Sequence, residues 1–436
     1  MNFFEYRDKA LFCEKVRVGD IVSKVGTPAY IYSKNAIVAR YRELKTAFHD
    51  VGPMICFSVK SNSNLSICRV LMEEGSGFDV VSGGELFRVI RAGGDPSKIV
   101  FAGVGKTEKE LRYALINDVF MFNVESTAEL ECIDKLAREM NKMPKVALRI
   151  NPDIDAKTHT KTTTGKRENK FGIDFTEAER ILKQSGNYPG VKICGLHVHL
   201  GSPIYTVDPY MHALERIIAF AGRCRDTKKD IGIEYLNIGG GYCISYNGKE
   251  VIQPQDYASK ILPLVKEMRC NLIMEPGRFI VGNSGILVTR VVYTKETLHG
   301  KKFVICDAAM NDLLRPALYD AFHKIWPVNT DIMMPEVMNE NEPVTTDTGL
   351  KLVDIVGPVC ETSDTFATNR ALPQVKEGDL LAIFSAGAYG FSMSSTYNSR
   401  PRPCEVMVDG DLYYTIRERE TYEDLIKGEE IRTFAS

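Results

Sequence analysis

Met54-Ile55-Cys56-Phe57-Ser58-Val59-Lys60-Ser61-Asn62 sets the pattern that the rest of the chain follows. An apolar run of this length, closed by polar turn formers, reads as a parallel strand buried on both faces. Lys60 then stands where the strand's carboxyl end opens into a loop, which is the end at which α/β barrels keep their chemistry. A lysine beside an apolar interior loses hydration, which favours the neutral amine and lets it attack a carbonyl to form a Schiff base. By position alone a solvated loop lysine is the commoner case, and the residues at the other strand ends decide between the two.

Downstream of this stretch, a short apolar run, a turn and an amphipathic segment recur. Strands are expected at 54–59, 78–81, 98–103, 119–124, 145–150, 193–199, 233–239 and 272–275. Helices are expected at 65–74, 84–92, 107–117, 126–141, 176–184, 208–225 and 254–270. This alternation predicts a (β/α)8 barrel, with an open doubly wound sheet as the weaker alternative. Upstream, 29–32 reads as a strand, and Ser33 and Asn35 offer N-caps for a helix over 36–48. After Arg278 the rhythm changes to strands with little helix between them, at 285–294, 302–307, 352–359 and 380–385. A final hairpin, 404–408 with 412–416, turns at Asp409-Gly410-Asp411. These define a C-terminal all-β domain. Residues 157–170 read as a basic loop and 329–349 as an acidic insertion.

The 55 basic and 57 acidic side chains nearly cancel, which argues against a nucleic-acid or polyanion partner. Eleven scattered cysteines without a CxxC pair suit reduced thiols in a cytoplasmic protein. Charges interrupt the N-terminal apolar residues, and no later segment reaches membrane-spanning length, so a soluble protein is expected.

In a barrel, the residues that follow each strand share one mouth. The seventh strand ends in Gly239-Gly240-Gly241, where backbone N–H groups can approach an anion with no Cβ in the way. The eighth ends in Glu275-Pro276-Gly277-Arg278, which adds a glycine and a guanidinium at the end where barrels commonly hold phosphate. The sixth carries His197-Val198-His199 and then Ser202. His-x-His can chelate zinc, but only Glu275 is at hand to complete a ligand set, so no metal is expected. The other reading is a histidine ring stacked on a flat cofactor whose phosphate Ser202 binds. A lysine for a Schiff base, a phosphate cup, a ring partner and a carboxylate for a pyridine nitrogen make the parts list of a pyridoxal 5'-phosphate site.

Phe57-Ser58-Val59-Lys60-Ser61-Asn62, Phe78-Asp79-Val80-Val81-Ser82 with Gly84-Glu85, Thr164-Gly165 with Lys170-Phe171-Gly172-Ile173, His197 to Ser202, Gly239 to Gly241 and Glu275 to Arg278 together resemble the diaminopimelate decarboxylases. The likeness continues through Arg315-Pro316-Ala317-Leu318-Tyr319, Gly357-Pro358-Val359-Cys360-Glu361-Thr362-Ser363-Asp364 and Gly387-Ala388-Tyr389-Gly390. It implies a pyridoxal phosphate-binding (β/α)8 barrel of the alanine racemase type over 35–284, and a β-domain over 285–436 that residues 1–34 join. It also implies that Lys60 holds the cofactor and His199 stacks on its ring. Ser202, Gly239, Gly240, Gly241, Gly277 and Arg278 would serve the phosphate end, Glu275 the pyridine nitrogen, and Tyr389 the phosphate or the substrate. Cys360 would return a proton to Cα, with Glu361 beside it, both contributed by the partner subunit of a homodimer with shared sites.

Substrate choice can be argued from charge. Arg278 and Arg315 can each fork onto a carboxylate, Tyr319 can add a hydroxyl and Glu361 can take an ammonium. Together they complement the distal carbon of meso-diaminopimelate. Paired arginines would repel the distal ammonium of ornithine. The alternatives are a decarboxylase of ornithine, arginine or carboxynorspermidine, a racemase, and a non-catalytic relative; the last should lack Lys60, Cys360 or the β-domain.

Overall fold

The computed structural model describes residues 3–154, 164–165, 169–225, 232–338 and 349–434. Most of the expected 157–170 loop and half of the 329–349 insertion lie outside these residues. The chain divides into two compact units: residues 36–245 with 250–282, and residues 1–35 with 246–249 and 283–436.

The first unit is a closed barrel of eight parallel strands. In chain order they are Met54–Ser58, Gly77–Val80, Ile99–Phe101, Met121–Val124, Lys145–Arg149, Lys192–His197, Tyr235–Asn237 and Asn271–Met274. The last closes on the first through the registers Ile273↔Met54 and Met274↔Ile55. All eight expected strands form, and most stop short of their expected ends: Val59 enters a 3-10 turn, and His199, Gly239 and Glu275 lie just past the strands. Cys56, Val100, Met121, Ala147, Cys194 and Ile273, from six of the strands, form one buried cluster. Burying an apolar side chain of this kind stabilises the fold by about 1.5–3 kcal/mol. The helices between strands start where the sequence supplies a cap. Asn64, Ser82, Thr107, Ser126 and Asp174 each accept a hydrogen bond from a first-turn backbone N–H, typically worth about 1 kcal/mol.

The second unit is built on a nine-stranded sheet. Ala29–Ser33 lies inside it, antiparallel to Gly285–Glu296 and parallel to Cys404–Asp409. The final hairpin forms as expected, with Leu412–Arg417 turning back on Cys404–Asp409. Three further features stand outside the expected pattern. Phe4–Arg7, Ala10–Cys13 and Val16–Arg17 form a small separate sheet. A short helix, Arg315–Tyr319, interrupts the strands. Thr365–Pro373 is a long strand whose Thr365, Thr368, Asn369 and Arg370 break its apolar run. Arg370 is nonetheless buried, with its guanidinium donating to the His323 carbonyl.

Candidate active site

Val59–Ser61 tighten into a 3-10 turn at the end of the first barrel strand, which delivers Lys60 to the mouth. Its Nζ lies 3.2 Å from Asp79 Oδ2, at the end of the second strand, and Ser58 Oγ donates to the same oxygen at 2.7 Å. Asp79 is wholly buried, and its Oδ1 has no hydrogen-bond partner among the described residues. Burial and the nearby Glu275 raise the Asp79 pKa, while Lys60 and Ser58 oppose them.

Glu275 follows the eighth strand and is buried. Its Oε1 accepts from Asn123 Nδ2 at 2.9 Å and Asn237 Nδ2 at 2.6 Å, and its Oε2 lies 3.3 Å from His197 Nε2. Burial disfavours the carboxylate, yet His197 and Lys60 together outweigh it and hold Glu275 well below the usual carboxylate range. The two carboxylates are thus driven apart, Glu275 towards the anion and Asp79 towards the acid, a pattern typical of functional sites.

The sixth strand ends at His197, so His199 lies beyond the ladder. Gly240 N–H donates to His199 Nδ1 at 3.2 Å, which requires a lone pair on that nitrogen. Burial, with Lys60 and Arg149 behind it, keeps the ring neutral by pushing its pKa well down. Ser202 Oγ is 3.4 Å from Arg278 Nε. Glycine at 239–241 is demanded by close packing. A Cβ at Gly240 would stand 2.2 Å from the Glu275 carbonyl oxygen, and one at Gly241 2.6 Å from that of Gly201. Gly239 N–H donates to Asn237 Oδ1, so two of the N–H groups expected for phosphate are engaged within the protein. A Cβ at Gly277 would stand 3.0 Å from Ser61 Oγ, so that glycine lets the lysine turn approach the eighth strand.

Beside the mouth, Arg149 pairs with Glu125, and both are buried. Glu125 also accepts from Gly172 N–H at 2.9 Å, while Arg149 lies 4.7 Å from the Phe171 ring centroid. This anchors the Lys170-Phe171-Gly172-Ile173 motif. Asp79, Asn123, Asn237, His197, Glu125 and Arg149 were not among the expected site residues. The available signal was a polar residue inside an otherwise apolar strand, as in Met121-Phe122-Asn123-Val124.

The sheet unit carries the remaining expected residues. Cys360 is exposed, and its N–H donates to Asn398 Oδ1 at 3.0 Å. Glu361 accepts from Ser363 Oγ and from Tyr397 Oη, the latter at 2.8 Å, and the two bonds lower its pKa. Asp364 fastens this loop by accepting from Val359 N–H and Met310 N–H, each at 2.6 Å. Arg315 is buried at the start of its short helix, with Tyr319 half-buried at the end. Tyr389 has φ 55°, a left-handed backbone that costs a bulky residue energy.

The donor set in the barrel mouth fits a phosphorylated pyridine aldehyde. It contains an accessible lysine beside a buried carboxylate with an orphan oxygen, an ionised glutamate and a neutral ring. Residues 34–282 match the family model of the pyridoxal-dependent decarboxylase, pyridoxal binding domain, which sets the class. Diaminopimelate decarboxylase from Pseudomonas aeruginosa is 44% identical over 99% of each chain. Two solved structures agree. The Helicobacter pylori enzyme complexed with L-lysine has a TM-score of 0.86 and 38% identity, covering 94% of this chain and 98% of that one. The M. jannaschii enzyme in complex with L-lysine has a TM-score of 0.89 and 35% identity, covering 99% and 98%. The chain belongs to the diaminopimelate decarboxylase family.

Proposed function

We propose that this chain removes the carboxylate from Cα of one end of meso-2,6-diaminopimelate, giving L-lysine and CO2. The observation that carries the reading is the barrel mouth itself, where Lys60 sits on Asp79 near an ionised Glu275 and a neutral His199. Pyridoxal 5'-phosphate, when bound there, supplies an electron sink for the pair left at Cα as CO2 departs. Lys60 is the residue to hold it, with Asp79 fixing where Nζ lies. Glu275, anchored by Asn123 and Asn237, presents a fixed negative charge that keeps a ring nitrogen protonated. His199 offers a neutral ring face. Ser202, Gly239, Gly240, Gly241, Gly277, Arg278 and Tyr389 serve the phosphate end.

Arg278 and Arg315 are carboxylate ligands for the substrate, Tyr319 adds a hydroxyl, and Glu361 takes the distal ammonium. Cys360 Sγ delivers the proton that replaces CO2 at Cα. The enzyme acts as a homodimer in which Cys360 and Glu361 serve the partner subunit's site, and it is cytoplasmic; eleven scattered cysteines with no CxxC pair support a reducing compartment. Among the described residues no helix is long and apolar enough to cross a membrane. Lys60→Ala tests the assignment. It should abolish the bound chromophore and turnover together, and retained turnover would overturn the role given to Lys60.

A further inference from the structure

We infer that His323 is a positioning residue for substrate recognition, a neutral imidazole that orients the Arg315 guanidinium without lending it a counter-charge. The inference rests on the reading of Arg315 as a carboxylate ligand.

His323 is wholly buried, and its two ring nitrogens have partners of opposite kind. Nδ1 lies 2.8 Å from the Phe384 carbonyl oxygen, which can only accept, so Nδ1 carries the proton. Nε2 lies 2.8 Å from Arg315 Nη1, which can only donate, so Nε2 presents a lone pair. Both contacts hold together only for the neutral ring in the Nδ1–H tautomer.

The local fold is arranged around this contact. Arg315 opens the short helix, and Asp320, at φ 51°, turns the chain out of it so that His323 comes back to the arginine. Arg370 Nη1 donates to the His323 carbonyl at 2.7 Å, and Phe384 N–H donates to the Lys324 carbonyl at 2.8 Å. The backbone of His323 is therefore fixed from two neighbouring segments. Tyr246 completes the setting. Its ring stands edge-on to the His323 ring, with centroids 5.3 Å apart, and the Arg315 guanidinium carbon is 4.6 Å from the Tyr246 centroid. One edge of the guanidinium is thus set by the imidazole and its face by the phenol. A carboxylate in place of His323 would pair with the fork itself and compete with a carboxylate ligand. A neutral acceptor fixes the same geometry and leaves the attraction for that ligand intact.

The test uses the cofactor-loaded enzyme and steady-state kinetics on meso-diaminopimelate for Arg315→Ala, His323→Ala and His323→Gln. His323→Ala should raise KM about tenfold, the loss expected for one hydrogen bond to a charged group, with kcat within about twofold and an unchanged cofactor spectrum. His323→Gln should recover most of the loss, because its amide can still accept from Arg315. An unchanged KM in Arg315→Ala contradicts the Arg315 assignment and the inference with it. A raised KM in Arg315→Ala beside an unchanged KM in His323→Ala overturns the inference alone. A fall in kcat at unchanged KM does so too. Should His323→Ala fail to fold, 15N spectra of the histidine-labelled wild type decide, with His323 assigned by its loss in His323→Gln. A neutral Nδ1–H ring from about pH 6 to 8 supports the inference, and an imidazolium or an Nε2–H ring there contradicts it.

Discussion

Lys60 Nζ stands 3.2 Å from Oδ2 of Asp79, a carboxylate shielded from solvent whose Oδ1 has no hydrogen-bond partner among the described residues. An orphan oxygen in the interior is costly; burial and Glu275 raise the Asp79 pKa, and the Lys60 ammonium opposes them. Asp79→Asn keeps the shape and removes the titratable group. Turnover should fall on the order of ten- to a hundredfold, as for other changes behind a reacting group, and stopped-flow absorbance should show slower capture of pyridoxal phosphate. Equal capture rates and equal turnover would remove Asp79 from the mechanism.

Glu275→Gln keeps an oxygen for the amides of Asn123 and Asn237 but removes the negative charge. The variant should fold and bind cofactor, with kcat lower by roughly 10²–10³-fold, the usual scale for one preorganised electrostatic contact. A kcat within twofold of wild type would show that the charge at Glu275 is not used.

The proposed sharing of sites between subunits predicts complementation. Lys60→Ala and Cys360→Ala homodimers should each have little activity. Mixed and reassorted, they should regain about a quarter of wild-type activity, since half the dimers would carry one intact site of two. The assay is turnover before and after subunit exchange. No recovery despite proven exchange would place Cys360 in its own subunit's site or in none.

Burial pushes the Asp312 pKa up from 3.8 to about 7. A group whose folded pKa is raised contributes stability that is fully present below its unfolded value and is lost as pH rises through the folded one. From about pH 4 to 7 the folded protein therefore gives up at most about 4 kcal/mol through this group. Asp312→Asn removes that loss, so its Tm relative to wild type should climb across this window. A constant Tm difference from pH 4 to 7 would show that Asp312 does not titrate there.

The barrel was legible because its strands are near-continuous apolar runs bounded by turn formers and followed by capped helices, all local signals. The lysine, the glycine triplet and Glu275 were legible because each stands just past such a run. Asp79, Asn123 and Asn237 were not singled out, since one polar residue inside a buried strand does not disturb its pattern, and only the closed barrel brings them round Glu275. The sheet unit was harder to read. Ala29–Ser33 pairs with strands more than 250 positions away in sequence, and the polar residues of Thr365–Pro373 hid a strand behind an arginine whose partner is a distant carbonyl. The contact of His323 with Arg315 needs coordinates, because a histidine on a loop carries no signal of what its nitrogens meet.

The most direct measurement is CO2 release by the purified protein supplied with pyridoxal phosphate, with the products separated, on meso-diaminopimelate, L-ornithine and L-arginine in parallel. L-Lysine from diaminopimelate, with no putrescine or agmatine from the other two, is the predicted result. Putrescine or agmatine formed in its place would contradict the carboxylate-binding roles of Arg278 and Arg315 and with them the substrate assignment.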